Sequence, residues 1–184
     1  MNSTKTRLAA SMVVLGALVA VSSSAVAAPT DATLTGGALT STAPLVGNFA
    51  TVALDGTAKT TTAAVGTFSV SDLTGTGAGW KVTAQGTRFT APVGTLNAGK
   101  QLAANSLVLS APTATANGTT STGPVVAAPA PIDSGTAVSI ASAAAGTGMG
   151  TYDFTATTMT LSVPADAYAA TYRSDVTITV ASTP

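Results

Sequence analysis

Apolar and polar residues alternate along many short segments of the chain, the pattern typical of β-strands with one buried face. The clearest case is segment 176–180, where Val and Ile take one face and Thr takes the other. Segment 159–163 repeats the pattern and ends before Pro164, which cannot donate a hydrogen bond to a sheet. We expect these segments to form a carboxy-terminal strand pair joined through residues 165–172.

Further strands are predicted upstream of this pair. They are segments 49–54, 68–70, 80–84, 107–109, 138–140 and 152–156. The dipeptide Asp55-Gly56 after the first of them is a turn signal. Abundant Thr favours extended chain, and 18 glycines disfavour long helices. About eight or nine short strands in one domain indicate an all-β fold, an antiparallel β-sandwich of the immunoglobulin-like or Greek-key type.

Segment 111–135 interrupts the strand pattern. It contains four prolines and the dipeptide Asn117-Gly118 among small polar residues, which predicts a long loop. The loop could separate two domains. Neither side alone has enough predicted strands for a complete sandwich, however, so we expect a single domain over residues 28–184 with the loop as an insertion.

The first 27 residues have the features of a secretory signal peptide. Lys5 and Arg7 precede an apolar stretch at 8–21, and Ala25-Val26-Ala27 offers small residues for cleavage after Ala27. The apolar stretch is shorter than the roughly 20 residues of a membrane-spanning helix. We therefore expect a secreted protein with no stable membrane anchor.

Composition narrows the possible chemistry. The chain has no Cys, His or Glu, and its 7 basic and 7 acidic residues balance. Loss of Lys5 and Arg7 with the leader would leave 5 basic against 7 acidic residues, a net charge of −2. Such a surface has no basic stripe for nucleic acid, and we expect no nucleic-acid partner.

The same composition argues against catalysis and against a bound metal or cofactor. The seven aspartates are scattered, without the spacing of a calcium loop or an evident pair for glycoside hydrolysis. A Ser or Thr nucleophile would need a base, and the titratable amines of Lys59, Lys81 and Lys100 are the remaining candidates. We expect a non-enzymatic protein with no metal and no cofactor.

Trp80 is the one tryptophan and the candidate ligand-binding residue. Exposed, its ring could stack on a sugar. Its alternation with Val82 favours a place in the core instead, with Lys81 directed to solvent. The glycine run at 75–79 before it resembles a phosphate-binding loop, but a strand pattern follows instead of a helix, so we interpret it as a turn. A similar run occurs at 146–150.

The stretch 68–83 resembles the first motif region of the WxL domain, a surface domain of Gram-positive bacteria. Segment 161–164, Tyr168, Tyr172 and the final alternating strand are similar to the end of that domain. The first name-giving motif is Trp80-Lys81-Val82, with Val in place of Leu. The second is Ile178-Thr179-Val180, with Ile in place of Trp. The resemblance covers residues 48–184 and is that of a divergent member.

The resemblance implies an exported protein held noncovalently on the cell wall, with peptidoglycan as its partner and other surface proteins as further candidates. The sequence leaves an alternative open. A Thr- and Gly-rich sandwich of low charge can assemble through exposed edge strands into a surface layer or fibre.

Overall fold

The computed structural model describes residues 31–183, and the predicted signal peptide at 1–27 lies outside the described residues. Residues 31–33 belong to one unit, in which they are exposed and have no regular structure. Leu34–Pro184 forms a second compact unit, and every regular element described in it is a β-strand. The all-β class is confirmed for this part of the chain. No helix among residues 31–183 is long and apolar enough to cross a membrane.

Twelve strands follow one another along this unit. They are β1 (Leu39–Ser41), β2 (Lys59–Val65), β3 (Phe68–Asp72), β4 (Trp80–Gly86), β5 (Leu107–Leu109), β6 (Thr113–Asn117), β7 (Val125–Val126), β8 (Ala130–Pro131), β9 (Val138–Ala143), β10 (Gly150–Thr155), β11 (Thr157–Val163) and β12 (Val176–Ser182).

The strands form three antiparallel sheets of four strands each. The first sheet has the order β1-β3-β10-β6, the second β2-β11-β5-β8, and the third β12-β4-β9-β7. Most pairings join strands that are far apart in sequence. In the third sheet, for example, β4 lies between β9 and β12.

The first and second sheets share one continuous register. Val65 of β2 faces Thr157 of β11, and Phe68 of β3 faces Phe154 of β10. Phe68 lies three positions after Val65, and Thr157 lies three positions after Phe154, so the register of one sheet continues into the other. β5 and β6 follow β11 and β10 in the same way. Ala156, between β10 and β11, has a φ of 56°, a left-handed conformation that is unusual for a residue other than glycine. The two sheets therefore continue one another across a bend at Ala156.

Side chains from all three sheets share one hydrophobic core. Alternation along β4 places Trp80, Val82 and Ala84 inside and Lys81 outside. Ile132, next to β8, joins the second and third sheets: its N–H donates to the Leu107 carbonyl at 2.9 Å and its carbonyl accepts from the Gly86 N–H at 2.7 Å.

The expected carboxy-terminal strand pair is wrong. Both strands exist, but β11 belongs to the second sheet and β12 to the third. The connection between them, residues 164–175, is too long for a tight hairpin. It is held instead by two-way backbone hydrogen bonds between Arg173 and Thr90, each 2.9 Å long.

The strand expected at 49–54 is also wrong, because this segment has no regular structure. The preceding residues run along the edge of β2, where Val46 forms an isolated bridge with Val65 and the Gly47 N–H donates to the Ala64 carbonyl at 2.9 Å. The chain then leaves the sheet, and Phe49 packs its ring against Phe89.

The loop expected over the whole of 111–135 is wrong in part, since this segment contains β6, β7 and β8. These strands are short and built from Thr, Ala, Val, Pro and one Asn, so their sequences show little contrast between faces. Pairing with β10, β9 and β5 forms them.

Candidate functional site

Trp80 is the largest fully buried side chain, with none of its surface exposed. Its ring lies 6.4 Å from Tyr152 and 6.3 Å from Phe154, between centroids, so it joins the third sheet to the first. The indole Nε1–H donates to the Gly148 carbonyl at 2.9 Å. Lys81, the next residue, is exposed. The structure thus places the Trp80 ring in the core, where no ligand reaches it.

The two glycine runs meet beside this indole. The Gly146 N–H donates to the Gly77 carbonyl at 2.8 Å. Gly148 has a φ of 71°, and a Cβ atom there would lie 2.3 Å from the Ala143 Cβ and 2.8 Å from the Trp80 Nε1. Glycine is required by this close approach as well as by the backbone conformation. The runs are packing elements around Trp80.

The second motif, Ile178-Thr179-Val180, lies in β12 directly beside the first. Val180 faces Val82, and Ile178 faces Ala84, across the β4–β12 pairing. Ile178 and Val180 are half-buried against the core, and Thr179 is exposed on the outer face. The structure brings the two motifs together as neighbouring strands, and neither presents an aromatic ring to solvent.

An aromatic groove lies elsewhere, between residues 46–54, 89–95 and 167–176. It encloses about 1370 Å³. We call it the tyrosine groove. Its lining includes Phe49, Phe89, Tyr168, Tyr172 and Arg173. Phe49 and Phe89 pack edge to face, with ring centroids 5.6 Å apart.

The 168–172 segment of the groove is fixed by side-chain hydrogen bonds to its backbone. The Tyr172 hydroxyl donates to the Tyr168 carbonyl at 3.0 Å, and the Asn97 Nδ2 donates to the Ala169 carbonyl at 2.8 Å. The Lys100 ammonium lies 4.3 Å from the centroid of the Tyr168 ring. Tyr168 still exposes 52% of its surface. A large aromatic ring is therefore held in place while much of it remains open to solvent.

The lining of the groove is nearly neutral. Arg173 and Asp175 contribute one charge of each sign, and Asn48, Thr95 and Ser174 are among the polar residues around them. Such a lining offers aromatic faces and neutral hydrogen-bonding groups together. It suits an uncharged polar ligand better than a phosphate or a polyanion.

A family model described as WxL domain surface cell wall-binding matches residues 28–184. The chain belongs to the WxL family. No curated protein and no solved structure matches it. As a WxL domain, the protein is a cell wall-binding surface domain, which places it outside the cell in association with the wall.

The aspartates of this WxL domain serve its structure where the contacts are described. Lys59 beside Asp55, followed by hydrogen bonds from Thr57, lowers the pKa of that exposed carboxyl. The buried Asp133 accepts from the Ser106 N–H at 3.1 Å and hydroxyl at 2.9 Å through Oδ2. Among residues 31–183, no three Asp, Glu, His or Cys side chains gather where they could hold a metal ion.

Sequence reasoning did not find the tyrosine groove in this WxL domain. One signal was available: two of the three tyrosines, Tyr168 and Tyr172, stand four residues apart in a segment with no strand pattern. Strand alternation does not assign these two rings to a buried face, so they are candidates for a surface role. The sequence gives no sign that residues 46–54 line the groove, because their position beside Tyr168 and Tyr172 depends on the complete fold.

Proposed function

We propose that the tyrosine groove is the site at which this WxL domain binds the wall, and that its ligand is a glycan strand of peptidoglycan, held noncovalently and without catalysis. The observation that supports this assignment most is the half-exposed, firmly held ring of Tyr168 at the wall of a large neutral groove. The family supplies cell-wall binding, and the groove supplies a surface with suitable chemistry.

The size of the groove favours a polymer over a small metabolite. Pockets for small molecules usually measure about 300–1,000 Å³. The tyrosine groove, at about 1370 Å³, exceeds that range and is partly open to solvent. An open groove of this size accommodates several consecutive sugar units.

The chemistry of the lining matches a glycan. A sugar ring presents C–H groups on its faces and hydroxyl or amide groups on its rim. Tyr168 offers an aromatic face for the former, and Asn48, Thr95 and Ser174 offer hydrogen-bonding groups for the latter. Asp175 is the one carboxylate of the lining, whereas most glycoside hydrolases use two about 5–9.5 Å apart. This supports binding without cleavage.

We also propose the finer features of the chain expected from its sequence. The leader is removed after Ala27, and residues 28–184 form a single domain of the sandwich type. The shared core of the three sheets supports the sandwich arrangement.

The test of this function is retention of folded variants on purified peptidoglycan sacculi. Tyr168→Ala removes the exposed ring and should weaken binding about 2- to 10-fold, the usual range for one aromatic contact. Tyr168→Phe keeps the ring and should bind nearly as the wild type does. Val125→Ala is the matched control, because Val125 is 73% exposed and lies in β7 of the third sheet, outside the lining of the groove.

Neutral oligomers of N-acetylglucosamine, which present the same ring faces and amide groups without carboxylates, should compete with sacculi for the wild-type protein. Unchanged retention of a folded Tyr168→Ala, Tyr172→Ala double variant would contradict the groove as the site. Competition by stem peptides alone would contradict the glycan as the ligand.

A further inference from the structure

The strand β12 forms an edge of the third sheet, and its pairing with β4 determines which of its backbone groups face outward. The Thr183 N–H donates to the Gly79 carbonyl, and the Asp175 carbonyl accepts from the Thr87 N–H. Odd-numbered residues of this strand therefore bond toward β4. Because backbone groups alternate in direction along a strand, the N–H and C=O groups of even-numbered residues point to the open side. These residues are Val176, Ile178, Val180 and Ser182.

None of these outward backbone groups is hydrogen-bonded to another described residue. Exposed sheet edges usually contain a charge, a proline or a bulge that prevents another strand from adding. β12 has the sequence Val-Thr-Ile-Thr-Val-Ala-Ser over 7 residues and pairs with β4 without a register shift. It has no charge, proline or bulge of its own. The strand β1 lies close to β12, but no backbone hydrogen bond between the two is described.

The other edges that the structure describes are less available. β1 has 3 residues and β7 has 2. The edge of β2 is partly covered, since Gly47 donates to Ala64 and Gly66 donates to the Leu45 carbonyl. β6 is a free edge of 5 residues. It lies between Pro112 and the Asn117-Gly118 turn and is the nearest competitor.

The inner face of β12 adds an apolar component. Val176, Ile178 and Val180 point toward the core but are only partly buried. The β4 residues that face Ile178 and Val180 are Ala84 and Val82, and these expose 1% of their surface or less. A strand added outside β12 would extend the apolar layer and cover these side chains.

We propose that the occupant of this edge is β12 of a second copy, paired antiparallel about a two-fold axis at Thr179. In this register Ile178 faces Val180 of the other copy, and Val176 faces Ser182. The outward backbone N–H and C=O groups of one copy therefore meet those of the other. Apolar residues meet at the centre of the inner face, and Thr179 meets Thr179 on the outer face. No charged side chain lies in β12, so like charges do not oppose one another along this pairing.

Two-fold pairing uses one β12 edge from each copy, so it ends at a dimer with one continuous eight-stranded sheet. A closed, isologous contact of this kind does not propagate. It is thus a different outcome from a surface layer or fibre, which would need a second, unrelated contact. The inference rests on other observations than those that support the tyrosine groove, and Val176 is the residue of β12 that also lines the groove.

The test is the molar mass of the exported protein in solution, measured by light scattering during size-exclusion chromatography over a range of concentrations. We expect twice the monomer mass for the wild type and the monomer mass for Thr179→Lys, which places two lysines opposite each other at the axis. Cross-strand neighbours lie about 4.5–5.5 Å apart at Cβ, where like charges repel.

Thr115→Lys is the matched control, since it adds the same charge to an exposed position at the middle of the β6 edge. It should leave the dimer intact. Matching far-UV circular dichroism spectra of the three proteins would show that the charges act on association and not on the fold. The monomeric variant should melt below the two dimers, because it loses the stabilisation that association provides. A monomeric wild type at every concentration, a dimeric Thr179→Lys variant, or dissociation caused by Thr115→Lys would each overturn the proposal.

Discussion

Trp80 acts through its packing and through one buried hydrogen bond. Trp80→Ala should cost roughly 3–5 kcal/mol of unfolding free energy, because it empties the space between β4 and β10. Trp80→Phe keeps an aromatic ring in the core, so it should lower the unfolding free energy by less than Trp80→Ala does. Its remaining cost comes from the smaller ring and from the Gly148 carbonyl, which loses its hydrogen-bond donor.

Urea denaturation of both variants measures these costs. Wall binding of Trp80→Phe, under conditions where it is folded, should equal that of the wild type. Normal stability of Trp80→Ala together with lost wall binding would instead identify the indole as a ligand platform.

At the residue scale, the sequence was informative about Trp80 because alternation with Val82 assigns a face directly. It was uninformative about Gly148. Gly148 has a φ of 71° and lies next to an indole, but in the sequence it looks the same as any other of the chain's 18 glycines. Which glycine approaches which neighbour depends on contacts between residues far apart in the chain.

At the scale of elements, the loop containing Gly146 and Gly148 offers a controlled comparison. Both glycines have positive φ, at 79° and 71°. A Cβ at Gly146 would meet nothing within 4 Å, whereas one at Gly148 would clash with Ala143. Gly146→Ala should therefore cost only the left-handed conformation, about 1–2 kcal/mol. Gly148→Ala should cost clearly more.

Melting temperatures of the two variants measure the difference. Equal losses would mean that the loop moves freely away from β9 and that the close approach to Trp80 contributes no stability.

Strands with strong alternation were predictable, and weakly patterned ones were not. Segment 107–109 matches β5, and segments 80–84 and 176–180 lie within β4 and β12. β2 was missed because its sequence, Lys-Thr-Thr-Thr-Ala-Ala-Val, gives little apolar contrast. The partners of the strands were harder still, since β11 and β12 are neighbours in sequence and belong to different sheets.

At the scale of the whole molecule, we expect wall association to depend weakly on salt. Without the predicted leader, the chain has 5 basic and 7 acidic residues, and the tyrosine groove has one charge of each sign. Salt screens charges beyond about 10 Å at 0.1 M, so it removes little from a contact made by rings and neutral hydrogen bonds.

Washing intact cells tests this expectation. Molar sodium chloride should leave most of the protein in place, and a chaotropic denaturant should release it. Release by salt alone would mean an ionic contact, and resistance to boiling detergent would mean a covalent one.

The tyrosine groove shows why the site was less predictable than the fold class. Threonine-rich alternation is a local property and identifies β-structure from a few residues at a time. The groove is assembled from residues 46–54, 89–95 and 167–176, which only the complete fold brings together.

The continuous register across the bent sheet has a consequence for the order of events during folding. β2, β3 and β4 do not pair with one another, and their main partners are β11, β10, β9 and β12, all beyond residue 137. Contacts so distant in sequence form slowly. A chain emerging from its amino terminus therefore cannot complete any of its three sheets until most of its length is available. Late closure of this kind leaves the amino-terminal strands unpaired until the carboxy-terminal third of the chain is free to fold.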